Sequence, residues 1–125
     1  MTSATVSISI ASARPLSIDL DPVTLDLTGF SREDTAEATL VRLTGAFDAN
    51  SAPATRPALD AIVTDQRSPV AIDMSALRLI DSSGIGAVVS LYKRVLAQGG
   101  RMSVTGLKGQ PLAIFQLLRL DRIMA

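Results

Sequence analysis

From Thr39 onward the chain switches repeatedly between two hydrophobic periods, and that alternation restricts the fold more than any other feature. "TLVRLTG" reads as a strand through Thr44. After Gly45, "AFDANSAPATRPALDAIVTDQ" carries Leu59, Ile62 and Val63 at helical spacing. "PVAIDM" is a short apolar run, opened by proline and closed by Asp73, that suits a central parallel strand. "ALRLIDSSG" leads into a helix with an inward face of Ile85, Val88, Val89, Tyr92, Val95 and Leu96, stopped by Gln98-Gly99-Gly100. "RMSVTGL" is the next strand, Pro111 opens a last helix containing Leu112, Ile114, Phe115, Leu117 and Leu118, and "DRIMA" reads as a terminal strand. Strand and helix alternating at these lengths imply an α/β domain with a parallel or mixed sheet and right-handed crossovers.

The first 38 residues are less regular. Val6, Ile8 and Ile10, then Leu16, Ile18 and Leu20, then Val23, Leu25 and Leu27 keep period two, broken by Pro15 and Pro22, so short edge strands are expected. "GFSREDTAEA" is polar and charged and reads as a loop or a brief helical turn. Ser51 followed by Pro53 looks like a helix start. Pro57, one turn further, implies that the helix bends there or properly begins near Thr55.

Length and composition agree with one such domain. At 125 residues the chain buries roughly two-thirds of its unfolded surface. With only four aromatic residues, its core must come from Ile, Val, Leu and Ala. Twelve acids balance twelve bases, which gives no uniform field for nucleic acid or an anionic membrane. Residues 1–65 nevertheless hold nine acids against four bases, and residues 66–125 three against eight. Cysteine and histidine are both absent, excluding disulfides, thiol chemistry and any imidazole base. Ala11-Ser12-Ala13 loosely resembles a signal-peptidase site but lacks the basic and apolar regions before it, and no apolar run reaches membrane-span length. A cytoplasmic protein is expected.

The chemistry concentrates in "LIDSSGIG", where a buried strand becomes a helix beside one acid, two hydroxyls and two glycines. Asp81, Ser82 or Ser83 suits a helix cap. A nucleophilic serine needs a base, and Lys93 lies roughly 16 Å along the helix axis from Ser82, out of reach. "SSGIG" is not the G-x-S-x-G elbow, and Gly84 and Gly86 complete no nucleotide-binding motif. They are expected to leave a flat surface on which another protein's backbone can approach. Asp73 and Lys108 faintly suggest a phosphoryl-accepting receiver, but no acidic pair follows an early strand to hold Mg²⁺. Modification remains: a phosphate brings about −1.5 to −2 charges, which a helix N-terminus tolerates and a docked partner does not.

"TLVRLTGAFDANSAPATRPALDAIV", "PVAIDMSALRLIDSSGIGAVVSLYKRVLAQGGRMSVTGL" and "PLAIFQLLRLDRIM" together resemble the STAS domain, in particular the free-standing anti-anti-sigma factors, or anti-sigma factor antagonists. The most specific piece is Asp81-Ser82-Ser83-Gly84 with Gly86 and the following helix; Gly45 to Asp48 and Gly99-Gly100 add to it. The resemblance implies a four- to five-stranded mixed sheet with helices mainly on one side. It divides the chain into residues 1–37, an extension with short strands at the sheet edge, and residues 38–125, the STAS domain. It further implies Ser82 as the phosphoacceptor, with Ser83 as alternative. Asp48, Asp81, Ser82, Ser83, Gly84, Ile85 and Gly86 would form the partner-binding patch. The implied partners are an anti-sigma factor that is also a serine kinase and a metal-dependent serine phosphatase. ATP and Mg²⁺ would belong to those partners, leaving this chain a substrate with no cofactor or metal of its own. An accessory role in a membrane transport complex for lipid or anions is the alternative function.

Overall fold

In the computed structural model, which describes residues 24–27 and 29–124, the strands are β1 (Thr24–Leu27), β2 (Phe30–Asp34), β3 (Thr39–Phe47), β4 (Val70–Ile80) and β5 (Met102–Thr105). They form one sheet in chain order. β1, β2 and β3 are an antiparallel meander, whereas β3, β4 and β5 run parallel. Parallel neighbours need crossovers, and α1 (Ser51–Thr64) and α2 (Ser82–Ala97) supply them. α3 (Gly109–Leu117) and α4 (Asp121–Met124) complete the chain.

Period two decides which sheet face is covered. Val41 and Leu43 on β3, Val70, Ile72 and Met74 on β4, and Met102 and Val104 on β5 are buried under the helices. From α1 and α2 they receive Leu59, Ile62, Val88, Leu91 and Val95. Leu40, Arg42, Ala71, Asp73 and Thr105 point the other way, lining a shallow groove on the open face. Both crossover helices start at the same end of the sheet, so the β3–α1 and β4–α2 turns lie side by side.

Several expectations change. "GFSREDTAEA" contains β2, because Phe30 and Arg32 alternate inward against Ser31 and Glu33. The pattern hides in sequence because an arginine takes an inward place. β4 does not close at Asp73 but continues to Ile80, past register shifts opposite Arg42–Thr44 and Gly45–Ala46. α1 starts at Ser51 and contains Pro57 in its interior. On α2, Ile85, Val88 and Val95 are buried as expected and Val89 and Tyr92 partly so, but Leu91 joins them fully buried and Leu96 is exposed. "DRIMA" is not a strand; Asp121–Met124 is a helical turn that buries Met124. The expected strands over Val6–Ile10 and Leu16–Leu20 lie outside the described residues; of that over Val23–Leu27, the described part, Thr24–Leu27, is β1.

Arg32 is held inside by ion pairing. Its Nε and Nη2 donate to the two Asp34 carboxylate oxygens at 3.0 Å each, and Nη2 also reaches Asp65 Oδ2 at 2.9 Å. Thr39 Oγ1 donates to Asp34 Oδ1 and accepts from Arg67 Nε, while Arg67 Nη2 donates to the Thr35 carbonyl. Burial pushes the Asp34 carboxyl up, but the hydrogen bonds from Arg32 and Thr39 and the charges of Arg32 and Arg67 outweigh it and hold the group below the ordinary carboxylate range. A depressed folded-state pKa contributes stability above the unfolded value of about 3.9, and that contribution disappears as pH falls through the folded value. Thermal unfolding followed by circular dichroism should show the midpoint falling as the pH is lowered below about 4. Asp34→Asn should lower stability at neutral pH by about 1–3 kcal/mol, toward the smaller figure because Asp34 is partly solvated, and should flatten the acid limb.

Candidate functional site

The two adjoining turns are built by carboxylates that accept backbone donors. On the β3–α1 side, Asp48 Oδ1 accepts from the Asn50 and Ser51 N–H groups at 3.0 and 3.1 Å. Ser51 Oγ accepts from the Asp48 N–H and donates to the Ala46 carbonyl, both at 2.9 Å. Hydrogen bonds from the Ser51 and Asn50 backbone hold the Asp48 carboxyl below its usual range. Asn50 occupies the helix-cap position, yet Asp48 performs the capping.

On the β4–α2 side Asp81 is the N-cap in extended backbone conformation, and its Oδ1 accepts from the Ser83 and Gly84 N–H groups at 2.9 and 3.1 Å. Its Oδ2 reaches across to the Ala49 N–H at 3.0 Å, and its own N–H donates to the Phe47 carbonyl at 3.3 Å. One residue therefore closes the strand ladder, starts α2 and fastens the neighbouring turn. The expectation of a helix cap is met by Asp81 and leaves both serines free of that duty. Ser82 and Ser83 are exposed, and neither hydroxyl takes part in a hydrogen bond among the described residues.

The two glycines divide the work expected of both. A Cβ at Gly84 would overlap the Phe47 carbonyl oxygen and come within 2.7 Å of Ile80 Cγ1. Gly84 is buried, and its missing side chain lets α2 seat against the end of β3. Gly86 is exposed with nothing within 4 Å of its would-be Cβ, which fits the flat-surface reading. Ile85 is 8% exposed and belongs to the core. The structure thus gathers Asp48, Asp81, Ser82, Ser83 and Gly86 at one surface and turns Gly84 and Ile85 inward, away from any docking partner.

Asp73 and Lys108 do not form a receiver site. Asp73 lies inside β4, where its carboxylate accepts from the Ser75 N–H at 2.9 Å and pairs with Arg42 Nε at 3.2 Å on the open sheet face. No three potential metal ligands cluster among the described residues. Sequence reading missed the Phe47 carbonyl and the Ala49 N–H. Both act through the main chain, which carries no residue-specific signal.

The chain belongs to the STAS domain family, whose match spans residues 31–125. It is 29% identical over 86 residues to an anti-sigma F factor antagonist of Paenibacillus polymyxa, covering 68% of this chain and 74% of that one. An anti-sigma factor antagonist from Mycobacterium paratuberculosis superposes with a TM-score of 0.67 at 26% identity, covering 87% of each chain. The Bacillus cell fate determinant SpoIIAA in its phosphorylated form gives a TM-score of 0.64 at 23% identity over 77% of this chain and 88% of that one. The fold is therefore the mixed α/β sheet of these antagonists, and no helix among the described residues is long and apolar enough to cross a membrane.

Gly84→Ala should force α2 away from β3 and cost about 1–3 kcal/mol in chemical denaturation. Gly86→Ala, by contrast, should leave the fold intact and stabilise it by up to about 1 kcal/mol, because the added methyl meets open space and raises helix propensity. Equal losses for both variants would contradict the division drawn between them.

Proposed function

We propose that this chain is a phosphorylation-controlled partner-switching regulator, an anti-sigma factor antagonist with Ser82 as the phosphoacceptor. In this reading it binds an anti-sigma factor that is also a serine kinase while Ser82 is unmodified and releases it once the phosphate is on. A metal-dependent serine phosphatase resets it. ATP and Mg²⁺ act in those partners, and the chain itself is a substrate rather than an enzyme. The likeness to antagonists supports this regulator over an accessory subunit of a transport complex.

The observation that carries the proposal is the state of the serine. Its hydroxyl is exposed, and unbonded among the described residues, on a helix start whose backbone is already fixed by Asp81. A kinase can reach it without unfolding anything. The added group finds the Ser83 and Gly84 N–H donors occupied by the Asp81 carboxylate, so its charge faces outward to whatever docks. Tolerance of the phosphate rests on exposure rather than on capping. Asp48 and Gly86 border the same surface, and the exposed neighbour Ser83 is the alternative acceptor.

Incubation with kinase-type anti-sigma factors of the source genome, expressed singly, and ATP should place one phosphate on Ser82 by mass spectrometry. Modification elsewhere, or none, would count against the assignment. Ser82→Asp should melt within a few degrees of the unmodified chain yet bind the partner at least tenfold more weakly in calorimetry, a change of about 1.4 kcal/mol or more. Ser82→Ala should bind and resist release by ATP. Unfolding of Ser82→Asp would make the serine structural.

A further inference from the structure

β4 is paired on its two sides over unequal lengths. β3 accompanies it to Ile80, but β5 pairs only with Val70–Asp73. Gly106, at φ +74°, packs so closely on Ser75 that a Cβ would lie 2.8 Å from the Ser75 nitrogen, and the chain departs from the sheet there. In a parallel ladder a residue's N–H and C=O point to the same side, and successive residues alternate sides. The Asp81 N–H faces β3, where it donates to Phe47; Ile80 accordingly presents both backbone groups to the outer edge.

A side chain fills that place. The Ile80 N–H donates to Gln110 Oε1 at 2.9 Å, and Gln110 Nε2 donates to the Ile80 carbonyl at 3.0 Å. A primary amide carries the same donor and acceptor as a peptide group, so Gln110 substitutes for one residue of a missing strand. Its mount is firm: the next residue, Pro111, is buried and Phe115, one turn on, is fully buried against the core. The end of β4 is thereby held from both sides, Ile80 by Gln110 and Asp81 by β3, and Asp81 in turn fixes the serine turn.

We propose that Gln110 is a positioning residue for the serine turn: it clamps the free edge of β4 at Ile80 and so sets how Ser82 is presented to a modifying or docking protein. The second half of this inference rests on the phosphoacceptor reading given above; the first half does not.

Two readouts separate them. Gln110→Met keeps the length of the side chain and removes both bonds, whereas Gln110→Glu keeps an acceptor for the Ile80 N–H and sets an oxygen against its carbonyl. Amide hydrogen exchange on the full chain needs no partner. In Gln110→Met the amides of Ile80, Asp81, Ser83 and Gly84 should exchange about tenfold faster, with Val41 and Ile72 unchanged, as expected for the net loss of one or two hydrogen bonds. Gln110→Glu should fall between. An unchanged Ile80 amide, or a uniform rise that includes Val41 and Ile72, would overturn the clamp. With the kinase that modifies Ser82, Gln110→Met should lower kcat/KM about tenfold through KM, leaving kcat nearly unchanged. Unaltered kinetics alongside faster exchange would overturn the presentation role. Failure of the unsubstituted chain to be modified at Ser82 would overturn the phosphoacceptor reading and that role with it, while exchange would still decide the clamp.

Discussion

One carboxylate organises the end of this sheet on which everything else at the surface depends. Asp81 accepts three backbone N–H donors from two different turns, and its own N–H continues the β3–β4 ladder. The first turn of any helix leaves donors without partners. Here the residue that directly follows the strand satisfies two of them and turns its second oxygen to the adjoining turn. The arrangement needs α2 to lie almost on the backbone of β3, and only a residue without a side chain at position 84 permits that. Strand end, helix start and neighbouring turn are consequently tied to one another by hydrogen bonds, and the two serines stand exposed on that junction.

The alternation from Thr39 made the parallel half of the sheet legible, because buried parallel strands and their crossover helices write opposite periods into the chain. The segments that misled reading did so for identifiable reasons. Arg32 sits where an apolar residue belongs in β2, made tolerable by two carboxylates contributed from Asp34 and from Asp65, 33 positions away. No local window contains that second partner. In α1, Pro57 lies on the exposed side of the helix, while Thr55 and Ala58 beside it are buried, so tertiary packing holds the helix together across the interruption. β4 overruns its expected end because bulges reset its period near Ala76, which scrambles the inside-outside pattern just where the candidate site approaches.

At the site, residue type was legible and role was only partly so. Asp81, Ser82 and Gly86 stand where their chemistry suggested: an acceptor at a cap, an exposed hydroxyl and an uncluttered surface. Gly84 and Ile85 look alike in a motif but belong to packing, a distinction that requires knowing which way the helix faces. The contributions of Phe47 and Ala49 are invisible in sequence, since any residue type offers a carbonyl and all but proline an N–H.

The charge gradient along the chain resolves in the same terms. Arg67 with Asp34 and Arg94 with Asp60 each pair a base of the second half with an acid of the first, so part of the imbalance is met within the fold, whereas Arg42 with Asp73 pairs in the opposite sense. Asp48 and Asp81 lie outside those pairs; their carboxylates are met by backbone N–H dipoles instead. Dipoles aimed at an anion disperse its field without removing its charge. In its unmodified state the serine turn is therefore less repulsive to an approaching acidic or apolar surface than two acids would imply. On the proposed reading, a phosphate on the adjacent hydroxyl would find the Ser83, Gly84 and Ala49 donors already committed. It would keep its full field, beside two carboxylates, directed at the space that a docking partner would occupy. The contrast between the two proposed states would thus exceed what a count of charges gives, and it would follow from the way the fold distributes its donors, with no movement of the backbone required.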